Sequence, residues 1–186
     1  MNKFLLSIAL LFVGLVSVNA QDYKPFKLGI GLGYAMPKGG GGVLWDLEPA
    51  YRLNDQLCVG LRIEGAAMAR SIGDEEGSVS GNGSYTLNGQ YYLSDAKFRP
   101  YVGLGFGIYN LASVAVGTNA AGVDSESKIG FYPRVGFDLG HFNMNLDYNL
   151  IGATEVEDLS GGGNDLEVKN SYLGIRFGAF IFGGKR

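Results

Sequence analysis

Hydrophobic and polar residues alternate along eight segments of the chain, and no segment after the first twenty residues repeats with the period of an amphipathic helix. Alternation with a period of two predicts half-buried β-strands. Each segment has about the 9 to 11 residues that a tilted membrane strand needs. The predicted strands are residues 26–34, 43–53, 57–67, 83–93, 99–111, 129–139, 142–150 and 171–182.

The connections between these segments alternate in length. Those after the second, fourth and sixth strands are short, with the sequences ND, SDAKF and GH. Those after the first, third, fifth and seventh strands are longer: AMPKGGGG, RSIGDEEGSVSGN, NLASVAVGTNAAGVDSESK and GATEVEDLSGGGNDLEV. In an up-and-down barrel this pattern places the short turns at one end and the long loops at the other, as in transmembrane barrels.

Three stretches carry a resemblance to a known family. They are RPYVGLGFGIY, the paired segments FYPRVGFDLGHFNMNLDYNLIG, and the aromatic-rich closing segment NSYLGIRFGAFIF. Through them, residues 26–182 resemble the small eight-stranded bacterial outer-membrane barrels of the OmpA/OmpX type, in the outer-membrane protein β-barrel domain group. The resemblance implies an all-β fold, an eight-stranded antiparallel up-and-down transmembrane β-barrel, in the outer membrane of a Gram-negative-type cell.

The composition of the two strand faces indicates which one meets lipid. The polar face is largely Gly, Tyr and Asn with isolated Arg or Asp, unlike the Lys, Glu and Thr surface of a soluble barrel. The apolar face carries aromatic residues towards both strand ends, which is typical of the two girdles of a lipid-facing surface. We therefore expect the apolar face outside and the polar face inside. A soluble periplasmic ligand-binding barrel is the alternative.

Nine charged residues fall on the predicted inner face. They are Asp46, Glu48, Arg52, Arg62, Glu64, Arg134, Asp138, Asp147 and Arg176. Charges removed from water are costly unless they are paired, so we expect an Arg–carboxylate network across the lumen. Two interpretations stay open, a mostly plugged polar lumen or a narrow pore or carrier for small solutes. Eight strands leave room for little more than side chains, which favours the plugged form.

Glycines alternate on the inner faces of the first and fifth strands. They are Gly29, Gly31, Gly33, Gly103, Gly105 and Gly107. These two strands lie opposite each other in a closed eight-stranded barrel, and we hypothesise that the glycines make room for charged side chains to reach across. Pro49 and Pro133 each remove a donor from a strand, so we expect bulges or strand ends there.

The first twenty residues predict a secretory signal peptide. Lys3 precedes an apolar run that ends in the small-residue cleavage pattern Val-Asn-Ala. The predicted organisation is a signal peptide at 1–20, a short N-terminal segment at 21–25 and the barrel domain at 26–183. Without Lys3, 14 basic residues face 18 acidic ones, which does not indicate nucleic-acid binding. A lone cysteine, Cys58, excludes an intramolecular disulfide bond.

Catalytic and metal-binding motifs are weak in this sequence. The only histidine, His141, falls in a short turn, and the glycine repeats lack the spacing and the following helix of a phosphate-binding loop. We therefore expect no enzymatic activity and no cofactor. The long loops are acidic and could bind Ca²⁺ or Mg²⁺ against lipopolysaccharide phosphates, with a solvated rim as the alternative. Their acidic residues are Asp74, Glu75, Glu76, Asp124, Glu126, Glu155, Glu157, Asp158 and Asp165.

The expected partners follow from the outer-membrane resemblance. They are outer-membrane lipids and lipopolysaccharide, and the barrel assembly machinery during biogenesis. The expected state is a monomer with a structural or surface-interaction role.

Overall fold

The computed structural model of the 186-residue chain describes residues 22–72, 75–115, 123–156 and 166–184. The predicted signal peptide at 1–20 lies outside these ranges. The described strands are β1 (Phe26–Pro37), β2 (Gly40–Arg52), β3 (Leu57–Ile72), β4 (Glu75–Tyr92), β5 (Phe98–Ala115), β6 (Val123–Leu139), β7 (Phe142–Ile151), β8 (Thr154–Val156), β9 (Leu166–Val168) and β10 (Tyr172–Phe182). Over the described ranges, no helix is long and apolar enough to span a membrane.

Eight of these strands close into a barrel. Their order around the wall is β1-β10-β7-β6-β5-β4-β3-β2, and each neighbouring pair is antiparallel. The two short strands β8 and β9 form a separate antiparallel pair in the connection between β7 and β10. The predicted all-β, eight-stranded antiparallel barrel is confirmed.

The strand faces point as the alternation predicts. On β2, Leu44 and Asp46 are buried. Their strand neighbours Val43 and Trp45 point the other way and are 66% and 52% exposed. Along β5, Leu104 and Phe106 are exposed while Gly105 is buried. The apolar residues therefore cover the outside of the barrel, and polar residues fill the inside.

The strands of the barrel differ in length. β3 to β6 have 16, 18, 18 and 17 residues, whereas β1, β2, β7 and β10 have 12, 13, 10 and 11. The prediction of long irregular loops after the third and fifth strands is therefore wrong over the described residues, because β3 to β6 continue into them. Above the bilayer both faces of a strand can be polar, so the alternation that marks a strand disappears there.

The outer face of the tall strands changes character at one row of paired residues. Tyr85 pairs with Ile108, which pairs with Ile129, and all three are exposed apolar or aromatic residues. The next outward-facing row consists of Gly83, Asn110 and Ser127. This row marks the upper edge of the lipid-facing band.

The connection between β1 and β2 is a tight turn, not the long loop predicted from AMPKGGGG. Only Lys38 and Gly39 separate the strands, and Gly39 has a φ of 78°. The glycines that follow belong to β2. A Cβ on Gly42 would clash with the backbone of Ala67, so glycine is required by the close approach of β3.

Pro49 and Pro133 lie inside strands, which corrects the expectation of bulges or strand ends. Pairing of β2 with β3 is interrupted between Leu47 and Ala50 but resumes in the same register. Pairing of β6 with β7 is interrupted in the same way around Pro133. Each proline lacks an N–H, so the ladder loses hydrogen bonds there while the strand continues.

The interior is layered along the barrel axis. An apolar cluster that includes Leu44, Met68 and Ile151 lies towards the long-loop end, and a smaller one with Tyr92 and Tyr101 lies at the short-turn end. The charged residues occupy the space between and around these clusters, and each of them is largely buried.

Candidate functional site

The inner faces of the strands place all nine predicted charged residues inside the barrel, each no more than 8% exposed. Such burial requires pairing, because an isolated buried charge loses several kcal/mol of hydration. The nine residues fall into three groups along the axis.

The largest group, the central cluster, holds two arginines and three carboxylates. Its members are Asp46, Arg62, Glu64, Asp147 and Arg176. Arg62 lies on β3 and Asp147 on β7, with three strands between them in either direction around the wall. The Arg62 Nη1 to Asp147 Oδ2 distance is 3.1 Å, so this ion pair crosses the full width of the lumen.

Arg176 joins the remaining carboxylates of the central cluster. Its guanidinium donates to Glu64 and forms ion pairs with Glu64 and Asp147, and its Nε lies 3.4 Å from Asp46 Oδ1. Arg62 Nε lies 3.3 Å from Glu64 Oε2. The two arginines therefore share Glu64 and Asp147, and Arg176 also approaches Asp46.

The second group pairs Glu48 with Arg134. Their strands, β2 and β6, are also opposite each other. Arg134 donates through Nη1 and Nη2 to the two carboxylate oxygens of Glu48, at 3.1 and 2.5 Å. Gln90 Nε2 donates to the same carboxylate at 2.5 Å. This bidentate geometry is the strongest form of Arg–carboxylate contact.

The third group surrounds Asp138 near the short-turn end. Lys27 Nζ and the Tyr92 hydroxyl each lie 2.8 Å from Asp138 Oδ2, and Arg52 Nη2 lies 3.7 Å from it. Asn143 Nδ2 donates to the other oxygen at 2.6 Å. Lys27 was not predicted as part of the network, although strand alternation already places it on the inner face of β1.

The contacts of interior tyrosines with the charged and amide side chains are a second feature that the sequence prediction missed. Tyr109 donates to Asn149 at 2.8 Å, and Tyr172 donates to Glu64. The guanidinium carbon of Arg62 lies 3.7 Å above the centre of the Tyr132 ring. Aromatic residues on an inner strand face are the signal that could have identified these partners, because a buried tyrosine supplies both a ring and a hydroxyl.

The inward glycines lie beneath side chains of neighbouring strands. A Cβ on Gly31 would meet the Asp46 carboxylate, one on Gly29 would lie 3.6 Å from Glu48, and one on Gly105 would meet the Tyr132 ring. The other three would approach a neighbouring strand's backbone, Ile175 at Gly33, Gly89 at Gly103 and Tyr85 at Gly107. The space over Gly29 and Gly31 is therefore filled by acidic side chains, whereas the space over Gly105 is filled by a neutral ring.

Among the described residues, those considered for catalysis and metal binding are not gathered into a site. His141 lies in the β6–β7 turn, with Nδ1 2.8 Å from the Phe180 carbonyl oxygen, and Cys58 is buried and free. Within the described residues, no group of three or more His, Cys, Asp or Glu side chains could hold a metal ion. Of the acidic loop residues, Glu126 is paired with Lys128 at 3.1 Å. Asp74, Glu157, Asp158 and Asp165 lie outside the described residues.

Comparison with known proteins gives a consistent result. Residues 8–179 match the family described as Outer membrane protein beta-barrel domain. The fold is similar to that of Neisserial surface protein A, with a TM-score of 0.60, 14% identity, and coverage of 86% of this chain and 98% of that one. It is also similar to the outer membrane protein OprG from Pseudomonas aeruginosa, with a TM-score of 0.55, 17% identity, and coverage of 89% and 100%. No curated protein sequence matched.

Proposed function

We propose that this chain, which belongs to the outer membrane protein β-barrel domain family, spans the outer membrane as a barrel with a closed interior. We propose further that its role is structural or at the cell surface rather than in transport. The exposed apolar band supports the membrane placement. Leu32, Leu104 and Phe106 are 69%, 66% and 61% exposed, and residues of this kind are stable on a barrel exterior only against lipid.

The ion pairs that cross the lumen are the main support for the proposal that the interior is closed. Arg62 with Asp147 and Arg134 with Glu48 each join opposite walls, so two charged bridges obstruct the axis. The cavity beside Gly31, Asp46 and Asn145 measures about 20 Å³. That volume holds about one water molecule, which is too little for a solute to pass.

The tall strands support the surface role. β4 and β5 have 18 residues, whereas a tilted strand crosses the bilayer with about 9 to 11. At about 3.3 Å per residue, the excess projects roughly 25 Å along the strand direction. We name the described part of this extension the projection; it comprises residues 75–83 of β4, 110–115 of β5 and 123–127 of β6. A structural neighbour that carries the name surface protein is consistent with this role.

We infer that the projection faces the cell exterior and that the short turns face the periplasm. Short periplasmic turns and longer outer segments are the usual arrangement of such barrels. Lipid and lipopolysaccharide then surround the lipid-facing band. The protein enters the membrane through the barrel assembly machinery and is a monomer there. A non-catalytic role agrees with the position of His141, whose ring is bound to a strand carbonyl in a turn.

Cysteine labelling of intact cells tests this orientation. Ser125 in the projection and Asp95 in the β4–β5 turn are both exposed, and each is replaced by cysteine in turn. We expect a maleimide attached to a polymer too large for diffusion pores to label Ser125→Cys in intact cells. It should label Asp95→Cys only after the outer membrane is broken.

The natural cysteine supplies the matched control. Cys58 is 1% exposed inside the barrel, so the unmodified protein should label weakly under both conditions. Labelling of Asp95→Cys in intact cells, or equal labelling of both variants only after lysis, would contradict the proposed orientation.

A further inference from the structure

A cavity of about 370 Å³ opens at the short-turn end of the barrel. Its lining includes Tyr23, Arg52, Lys97, Arg99 and His141, together with Asp138. The volume falls within the range of small-molecule binding sites, roughly 300 to 1,000 Å³. The cavity is separate from the central cluster, which lies deeper in the lumen.

Positive charge in this cavity exceeds negative charge. Arg52, Lys97 and Arg99 are basic residues, and Asp138 is the one carboxylate in the lining. That carboxylate already accepts from Lys27 and from the Tyr92 hydroxyl at 2.8 Å, and it is 3.7 Å from Arg52. The cavity therefore has more cations than its own carboxylate can neutralise.

Arg99 is the clearest case. It is 2% exposed, and it donates to the carbonyl oxygens of Ser94 and Asp55. Its Nη1 is buried without a hydrogen-bond partner, and it takes part in none of the ion pairs of the described residues. Arg52 is 1% exposed, and its Nε also has no partner. Two buried guanidiniums thus retain unused donors beside one cavity.

The aromatic residues around these guanidiniums hold them in place. The Tyr23 ring centre lies 3.8 Å from the Arg99 guanidinium carbon and 4.9 Å from that of Arg52. The Tyr92 ring centre also lies close to Arg99, 4.1 Å from its guanidinium carbon. A stacked guanidinium keeps its planar donor edge free, which suits in-plane contact with a phosphate or carboxylate.

We propose that this cavity binds a small molecule through an oxyanion group, a phosphate or a carboxylate, held by Arg52, Arg99 and Lys97. The cavity is larger than one oxyanion, so the rest of the ligand packs against Tyr23, His141 and Phe180, which also line it. On the orientation proposed above, the ligand enters from the periplasm. The binding itself does not depend on that orientation or on a closed lumen.

Titration of the full barrel in zwitterionic micelles tests the proposal. Isotope-labelled protein is titrated with pyrophosphate in one series and with citrate in another, at ionic strength held constant with chloride. We expect saturable changes in the backbone amide resonances of Lys97, His141 and Gly184 with at least one probe. Saturation by pyrophosphate alone identifies a phosphate site, and saturation by citrate alone identifies a carboxylate site.

Two charge-removal variants separate a site from general attraction. Lys97 lines the cavity and is exposed, so Lys97→Gln should fold normally and weaken binding by about threefold or more, the effect of one exposed ion pair. Lys24→Gln removes an exposed charge from the same end outside the cavity and should bind like the natural protein. Resonances that do not saturate with either probe, or equal weakening in both variants, would overturn the proposal.

Discussion

At the scale of single residues, the barrel interior is built from glycines covered by side chains of the next strand. Gly105 pairs directly with Tyr132 across the β5–β6 ladder, and Gly136 pairs with Tyr101 in the same ladder. In both pairs the tyrosine ring lies where a Cβ would be. The alternation of glycine could be read from the sequence, but the covering residue could not, because it depends on the register between strands.

Replacing Gly105 by alanine should destabilise the barrel. The new methyl group would overlap the Tyr132 ring, and overpacking of this kind costs about 1 to 3 kcal/mol in free energy of unfolding. The measurement is urea unfolding in lipid vesicles, followed by the fluorescence of Trp45, the only tryptophan.

Two further variants test whether overlap with the Tyr132 ring causes this loss of stability. Gly89 lies on the next strand with nothing within 4 Å of an added Cβ, so Gly89→Ala should leave the unfolding midpoint nearly unchanged. In a Tyr132→Ala background, Gly105→Ala should lose most of its effect. An equal cost with and without Tyr132 would mean that the ring is not the cause.

Asp147 is the residue on which the two arginines of the central cluster both depend. Asp147→Asn keeps the size of the side chain but removes its charge, leaving Arg62 with Glu64 and Arg176 with Glu64 and Asp46. We expect the free energy of unfolding to fall by about 3 to 5 kcal/mol, the usual effect of breaking a buried ion pair.

The comparison for Asp147 is an ion pair at the surface. Glu126 is paired with Lys128 at 3.1 Å, with its side chain 47% exposed. Glu126→Gln should change the free energy of unfolding by less than about 1 kcal/mol. Similar losses for the two variants, measured by the same urea unfolding, would argue against a buried network.

At the scale of elements, the sequence predicted strands well where lipid constrains them and poorly elsewhere. Between Phe26 and Tyr34, lipid outside and polar groups inside force alternation, and the predicted strand lies within the observed one. Residues 112–115 and 123–128 continue β5 and β6, yet they were predicted as loop because neither face there has to be apolar. The short connection at Gly140 and His141 was predicted correctly.

The charge network shows the same limit. Alternation placed nine charged residues on the inner face, but it could not show that Arg62 meets Asp147 rather than another carboxylate. That choice depends on the stagger of eight strands around the barrel, which is a non-local property. Lys27 and Arg99 were accessible to the same reasoning, since each lies at an inward position of its strand.

The N-terminal segment before β1 contains Tyr23, and we predict that this residue stabilises the barrel. Tyr23 is 6% exposed, lies against Arg52 and Arg99, and donates through its hydroxyl towards Asp95 and Ala96 carbonyl oxygens. Tyr23→Ala should lower the free energy of unfolding by about 2 kcal/mol or more through loss of desolvated cation–π contacts.

The Tyr23→Phe variant tests whether the ring is responsible. It keeps both ring contacts and loses only the hydroxyl bond, so it should retain most of the stability. Equal destabilisation by Tyr23→Phe and Tyr23→Ala in urea unfolding would assign the effect to the hydroxyl instead.

At the scale of the whole molecule, the two ends and the middle of the barrel have different chemistry. The projection rises above the lipid-facing band on one side, and the cationic cavity lies beneath the band at the other end. Between them, the ion pairs from Arg62 to Asp147 and from Arg134 to Glu48 join opposite walls. With the proposed closed interior, the barrel connects two surfaces without a passage between them.

Measuring ion conductance is the most direct test of the closed interior. The natural protein is reconstituted into a planar lipid bilayer at neutral pH, and heat-modifiable gel migration of the recovered protein verifies that the barrel is folded. We predict no discrete current steps, because the charged bridges and a cavity the size of one water molecule leave no continuous ion path. Reproducible single-channel steps from the folded barrel would contradict the closed interior and favour a narrow pore.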